Sequence, residues 1–274
     1  MSLVLLAPFA IVSRPKPSPR FFIVVPTRNS ENFIDSCLNS IYSQRGNFNI
    51  QVHVQDCCST DATIRIVRQW QQVVGESLTV CSEHDNGIYD AVLRGAKNIQ
   101  SDDTMTWLGS DDIFMPGAFA TVVSIFSEHD RVDWITGLPY VGNEAGECYT
   151  PWETQSFSRL SLSSGHCDGR TANFVMQEGT FWRGSLWLSA GGLDPRFKLA
   201  GDWDLWRRFA LRSPLFSLTF PLARFTKREG QTSSDMSAYY AEVDGTPSIA
   251  VVNDRAEYRI TRYAGQTGWH IKCL

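Results

Sequence analysis

The chain has 274 residues, 43% of them hydrophobic, with a formal net charge of -4 and an isoelectric point near 5.7. That length supports a sizeable core in one α/β domain with an appended C-terminal part. The acidic balance lacks the basic footprint of a nucleic-acid-binding protein. Seven scattered cysteines with no CxxC pair and no Cys/His cluster exclude a zinc ribbon and read as reduced thiols in a cytoplasmic protein, adjacent Cys57 and Cys58 included.

The opening MSLVLLAPFAIV is apolar over too few residues to span a bilayer, and no basic residue precedes it as in a signal peptide. It reads as a segment that packs on the domain or touches a membrane surface peripherally. From Arg20 the chain becomes regular. FFIVVP is a continuous apolar run of the kind found in a parallel strand covered on both faces. Residues 30–43 follow as a helix with Ser30 as N-cap, because Phe33, Ile34, Cys37, Leu38 and Ile41 recur at helical spacing.

The unit repeats. IQVHVQ predicts a strand, 60–73 a helix behind the capping cluster Ser59-Thr60-Asp61, SLTVCS a strand, 87–98 a helix and TMTWLG a strand. Such alternation makes a parallel sheet whose ligands bind beyond the carboxyl ends of the strands. The polar clusters fall there: Thr27-Arg28-Asn29, Asp56, the stretch 83–90, and Ser110-Asp111-Asp112. Beyond them 116–127 reads as a helix, VDWITG as a strand, and the Gly/Ser/Thr-rich 137–170 as a long loop. QEGTFWR is strand-like, and 202–211 is a helix with Trp203, Leu205, Trp206 and Phe209 on an apolar stripe. The segment beyond Ser233 carries no clear pattern.

Two adjacent acids at a strand end repel each other unless a cation or hydrogen-bond donors neutralise them. Asp111-Asp112 therefore reads as a Mg²⁺ or Mn²⁺ site completed by substrate phosphates, or as a helix or turn cap. Asp56 is likewise open between a ligand for ribose or a base N–H and a helix N-cap.

The order FFIVVPTRN, VQDCCSTDAT, EHDNGIYDAVLRGA and WLGSDDIF resembles the inverting family-2 glycosyltransferases of the GT-A fold, particularly bacterial polysaccharide or O-antigen enzymes with a DxGIYDA segment. The resemblance covers residues 20–115 strongly and 170–230 more loosely. It implies a Rossmann-like, mostly parallel sheet with helices on both faces and a C-terminal acceptor-side part. The corresponding division is an N-terminal extension (1–19), a catalytic domain (20–235, with 20–115 as nucleotide half and 116–235 as acceptor half) and a C-terminal extension (236–274).

The resemblance further implies that Pro26, Thr27, Arg28 and Asp56 line a nucleotide pocket and that Asp85, Asp90 and Arg94 lie near the base, ribose or diphosphate. Asp112 would bind Mn²⁺ or Mg²⁺ and Asp111 would contact ribose or metal-bound water. Asp202 of GDWDLW would be the catalytic base, and Glu178 would lie near the acceptor. Trp182, Trp203 and Trp206 read either as core residues, the commoner role of tryptophan at helical spacing, or as candidates for stacking on acceptor sugar rings, with Trp182 and Trp203 taken as acceptor-side; Arg228 reads as a phosphate contact or a solvated turn residue.

The expected partners are a nucleotide diphosphate-sugar, with uridine as base, and a glycan or lipid-linked saccharide acceptor; the expected location is cytoplasmic, at or near the inner face of a membrane. Where the family has Asp-Gly-Gly/Ser-Ser-Thr-Asp, this chain has Asp56-Cys57-Cys58-Ser59, and Leu93-Arg94-Gly95 replaces Asn-Lys-Gly. Two alternatives stay open. A nucleotidyltransferase would want a Gly-rich basic loop in place of PTRNSEN, and a non-catalytic nucleotide-sugar-binding protein would have no need of a base.

Overall fold

The computed structural model describes residues 18–147, 154–228, 231, 235–263 and 267–274. Strand β1 (Arg20–Thr27) alternates its side chains between two cores. Phe21, Ile23 and Val25 enter one buried cluster, while Phe22 and Val24 enter the other. A strand apolar at every position thus has no solvent face, as the FFIVVP run implies.

Around β1 lie β2 (Asn49–Asp56), β3 (Leu78–Ser82) and β4 (Thr104–Trp107), all pairing parallel. The sheet continues past β4 through β8 (Thr180–Arg183), which is antiparallel to it, then β6 (Trp134–Thr136), β9 (Phe216–Leu218), β11 (Tyr258–Thr261) and β12 (His270–Cys273). Among the described residues this gives a nine-stranded, mostly parallel sheet, so residues beyond 236 extend the main sheet edge. A second, three-stranded sheet joins β5 (Ile113–Phe114), β10 (Ala223–Lys227) and β7 (Val141–Asn143).

Helices α1 (Ile34–Tyr42), α2 (Thr63–Val74) and α4 (Ala118–Glu128) supply the first core. The second core draws on α3 (Ile88–Gly95), α5 (Arg159–Ser163), α6 (Gly184–Ala190) and α7 (Gly201–Ala210). Helix α8 (Met236–Asp244) packs Tyr239 and Val243 against Ala200 and Trp203. Among the described residues no helix is long and apolar enough to cross a membrane.

Several boundaries differ from expectation for local reasons. Helix α1 begins at Ile34 rather than at 30, because the Ser30 carbonyl accepts from Phe33 N and Ile34 N in a preceding turn. The Ser30 hydroxyl instead meets Ser110 Oγ at 2.8 Å, tying the first strand end to the acid pair. Helix α2 begins at Thr63, and Asp61 caps it by accepting from Thr63 N. The expected loop over 137–170 contains β7 and α5, the latter capped by Ser158 and held by Arg159 on the Ala210 and Leu211 carbonyls. Residues 1–17, including the apolar opening, lie outside the described residues.

Candidate active site

The register brings the strand-end residues into one row. Thr27 lies beside Asp56 on β1 and β2, and Asp56 beside Ser82 on β2 and β3. Asp56 is fully buried, and its carboxylate accepts from Ser82 Oγ, Ser59 Oγ and Ser59 N. It therefore organises the turn after β2 and is not the N-cap of the following helix, whose cap position is Ala62. Pro26 and Thr27 are buried and Arg28 is exposed. The Thr27 hydroxyl is a buried donor with no partner among the described residues. Cys58 takes φ +49, the left-handed region that favours glycine, at the position where the family carries Gly or Ser.

Asp85 accepts from Gly87 N at the entrance to α3. Asp90 and Arg94 face each other one helical turn apart at 2.8 Å, and Arg94 also reaches Glu83 and the His84 carbonyl. That guanidinium holds Asp90 below the usual carboxylate range. This pair is internally compensated on the flank of the sheet, and none of Asp85, Asp90 and Arg94 lines either of the two cavities described next.

The main pocket is lined by Asp111, Asp112, Glu178 and Asp202, with Tyr89, Lys198, Arg228 and Gln231 around them. Gly109 explains how the acid pair fits: a Cβ there would lie 2.6 Å from Asp112 Oδ2 and 3.0 Å from Asp111 Oδ1. The two carboxylate oxygens thus converge over one glycine. Asp112 is only 3% exposed, and its Oδ1 accepts from Thr226 N at 2.7 Å. Burial, and then the charges of Glu178 and Asp111, push it well above the usual carboxylate range. The second oxygen of Asp111 accepts from Arg228 Nε at 2.6 Å.

Asp202 opens α7 on the other side of the pocket. Its Oδ1 lies 3.0 Å from the Tyr89 hydroxyl and accepts from Trp203 N at 2.9 Å. The preceding Gly201 leaves room for this contact, since a Cβ there would press into the Tyr89 ring at 2.6 Å. Burial raises Asp202, against the pull of those two donors. Glu178, half-buried between the acids, is pushed up to about 7, first by burial and then by the charges of Asp202 and Asp111. Four carboxyl groups facing one cavity favour proton uptake or a cation.

Asp112 Oδ2 and Asp111 Oδ1 are hard oxygen donors that converge, and burial disfavours a charge on Asp112 unless a cation balances it. They fit a Mg²⁺ or Mn²⁺ ion that takes its remaining ligands from phosphates and water. Among the described residues no three side chains gather as a self-sufficient metal cage.

Two expectations are corrected by the packing. Trp182 is fully buried, stacking on Trp187 and edge-on to Trp107 and Trp206. Trp203 is 6% exposed, donates to the Gly165 carbonyl and lies under the Arg207 guanidinium. Both belong to the interior because the sheet is covered on both faces and α7 buries its aromatic stripe, so neither can stack on a sugar. Conversely, Tyr89, Lys198, Phe225 and Gln231 line the pocket without having been singled out. Tyr89 stood in the GIYDA segment beside Asp90, whereas the other three carry no distinctive motif. Arg228 and Gln231 are described, but 229–230 and 232–234 beside them lie outside the described residues.

A nine-stranded mixed sheet with acids at the carboxyl end of β4 is the GT-A architecture, and solved structures agree. The Staphylococcus aureus TarS fragment 1–349, in complex with UDP-GlcNAc, superposes with a TM-score of 0.64 at 22% identity over 79% of this chain and 61% of that one. The mannosyltransferase PcManGT of Pyrobaculum calidifontis, with GDP-Man and Mn²⁺, gives a TM-score of 0.59 at 17% identity over 85% and 66%. The chain thus spans about three fifths of the TarS fragment and two thirds of PcManGT.

By sequence, residues 22–180 match glycosyl transferase family 2, and the chain belongs to that family. A PGL/p-HBAD biosynthesis glycosyltransferase of Mycobacterium tuberculosis is 26% identical over 68% of each chain. The minor teichoic acid biosynthesis protein GgaA of Bacillus subtilis is 27% identical over 46% of this chain and 29% of that one. Fold and family model together make the protein a glycosyltransferase.

Proposed function

We propose that the chain transfers a sugar from a uridine diphosphate-sugar to an acceptor hydroxyl with inversion, Asp202 acting as general base, in cell-surface glycan assembly. The observation that carries this reading is that Asp202 and the Asp111-Asp112 pair line one pocket from different elements. A base on one wall and a diphosphate-side acid pair on another suit a single displacement at an anomeric carbon between them. The carboxylate of Asp202 takes the acceptor proton as the oxygen attacks. Its raised proton affinity, due to burial, favours that transfer, and the contact with Tyr89 fixes its direction.

Asp112 and Asp111 would hold a divalent cation, whose chemistry is to neutralise charge on a departing diphosphate. Lys198 and Arg228 line the same pocket and add positive charge for phosphate oxygens. Thr27 and Asp56 sit at the strand ends where the base and ribose of the donor would lie. A uridine donor is supported by the ligands named for TarS and for GalNAc-T7, which carries UDP; the glycolipid and teichoic acid relatives support cell-surface assembly.

Calorimetry with UDP, GDP and dTDP, with and without Mn²⁺, tests the donor half of the reading. Mn²⁺-dependent UDP binding that disappears in Asp112→Ala is expected. Asp202→Asn is expected to bind the same nucleotide yet to lose transfer, and near-wild-type turnover in that variant would remove Asp202 as base. Pyrophosphate as the released product would instead indicate nucleotidyl transfer.

A further inference from the structure

A second cavity, of about 580 Å³, opens beside the first and shares Gln177, Glu178, Leu199, Asp202, Phe225 and Gln231 with it. Its remaining wall is largely apolar, with Phe174, Met176, Met236 and Tyr239 as the large side chains. Phe174 and Tyr239 meet edge to face at 5.6 Å, which fixes both rings as a rigid wall. Half of this wall, Met236 and Tyr239 included, comes from residues beyond 180, outside the segment that matches the family.

One wall residue, Tyr239, carries a buried polar atom. The Tyr239 hydroxyl is buried, on a residue only 8% exposed, and has no partner among the described residues. A buried hydroxyl without a partner is destabilising unless a ligand or water supplies one. Burial keeps it protonated, so it is available as a donor. The cavity therefore combines an apolar body with polar groups at its margins, Lys227 and Asp235 among them, and meets the first pocket at Asp202.

We infer that this cavity is the acceptor subsite and takes the apolar aglycone of an alkyl or aryl glycoside or alcohol, with Tyr239 donating to an oxygen of that acceptor. The inference rests on the glycosyltransferase reading above and narrows its acceptor. A free oligosaccharide would leave the aromatic and methionine wall against water and sugar hydroxyls. An aglycone covers that wall while its hydroxyl, or that of an adjoining sugar, reaches Asp202.

The test measures binding of methyl, octyl and phenyl β-glucosides to the full chain saturated with UDP and Mn²⁺, the octyl glycoside being kept below its micellar concentration. Octyl or phenyl glucoside is expected to bind at least about ten-fold more tightly than methyl glucoside. Preference for one of the two assigns an alkyl or an aryl aglycone. Met236→Glu should abolish that preference and Tyr239→Phe should weaken all three glycosides several-fold, both with unchanged UDP affinity and a retained unfolding transition. Equal binding of the three glucosides by a protein that binds UDP overturns the subsite alone. Equal preference in wild type and Met236→Glu does the same, whereas failure to bind UDP at all overturns the donor reading beneath it.

Discussion

Replacing Glu242 separates the positioning of Asp202, the proposed base, from the binding of the donor. On α8, Glu242 accepts three consecutive backbone N–H groups: Lys198 at 2.8 Å on one oxygen, and Leu199 and Ala200 at 3.0 and 2.9 Å on the other. These donors lead directly into α7, whose second residue is Asp202. They belong to the turn that ends at Ala200, the N-cap of the helix. The Leu199 carbonyl and Asp202 Oδ1 also share the Tyr89 hydroxyl, at 2.9 and 3.0 Å. One carboxylate thus orders the segment that aims the base.

Glu242→Gln keeps one acceptor oxygen and turns an NH₂ group toward the donors that the other oxygen served. Bonds to a charged acceptor contribute about 1.5–3 kcal/mol each when buried. Glu242 is half-buried, and water replaces part of what is lost, so a net loss of about 2 kcal/mol is expected. For a chain of this size that lowers Tm by about 4–8 °C. Well below that temperature, amide exchange across 198–202 should quicken. kcat should fall about ten-fold while the donor KM stays within about two-fold, since Asp202 loses its aim whereas the Lys198 ammonium is held separately on the Asn86 carbonyl. A Glu242→Gln protein that is folded and turns over at the wild-type rate would refute the positioning argument, whatever its Tm.

Gly109→Ala sets a Cβ 2.6 Å from Asp112 Oδ2, so Mn²⁺-dependent nucleotide binding should weaken at least about ten-fold by calorimetry, because no side chain but the acid pair has to move. Asp103→Asn breaks the two-pronged contact to Arg20 at 2.6 and 2.7 Å and weakens the acceptance from Gln100 N, at the sheet end remote from the pocket. It should cost about 2–3 kcal/mol in urea unfolding with no change in nucleotide affinity. Glu178 has a folded pKa above its ordinary 4.5, so folding favours its protonated form; that contribution is complete below pH 4.5 and is lost as pH rises through about 7. In chelator, Tm should therefore fall between about pH 5 and 8, and the fall should be shallower in Glu178→Gln; a parallel curve in that variant would deny Glu178 its part.

What the sequence revealed and what it hid follow from the same feature, a sheet covered on both faces. Uninterrupted runs such as FFIVVP and TMTW could only be central strands, and the polar residues that interrupt them mark the carboxyl edge, so Thr27, Asp56, Asp111 and Asp112 were legible from chain order alone. Asp202 was legible as an acid at a helix start, but its partner Tyr89 is contributed by α3, 113 positions earlier, and no local spacing encodes that meeting. Trp182 misled because a strand apolar on both faces does not distinguish a core aromatic from a ligand-facing one. Short strands such as β9 and β10 had too few residues to show a period, although β10 supplies the N–H that holds Asp112. Glu242 and Tyr239 lie on a helix that has no apolar stripe in sequence and resembles a solvated terminus. The acid pair is therefore written in a contiguous motif, and the wall of the second cavity in single residues brought together by folding. That division is expected if one scaffold keeps its nucleotide chemistry while acceptor recognition varies on elements beyond residue 180.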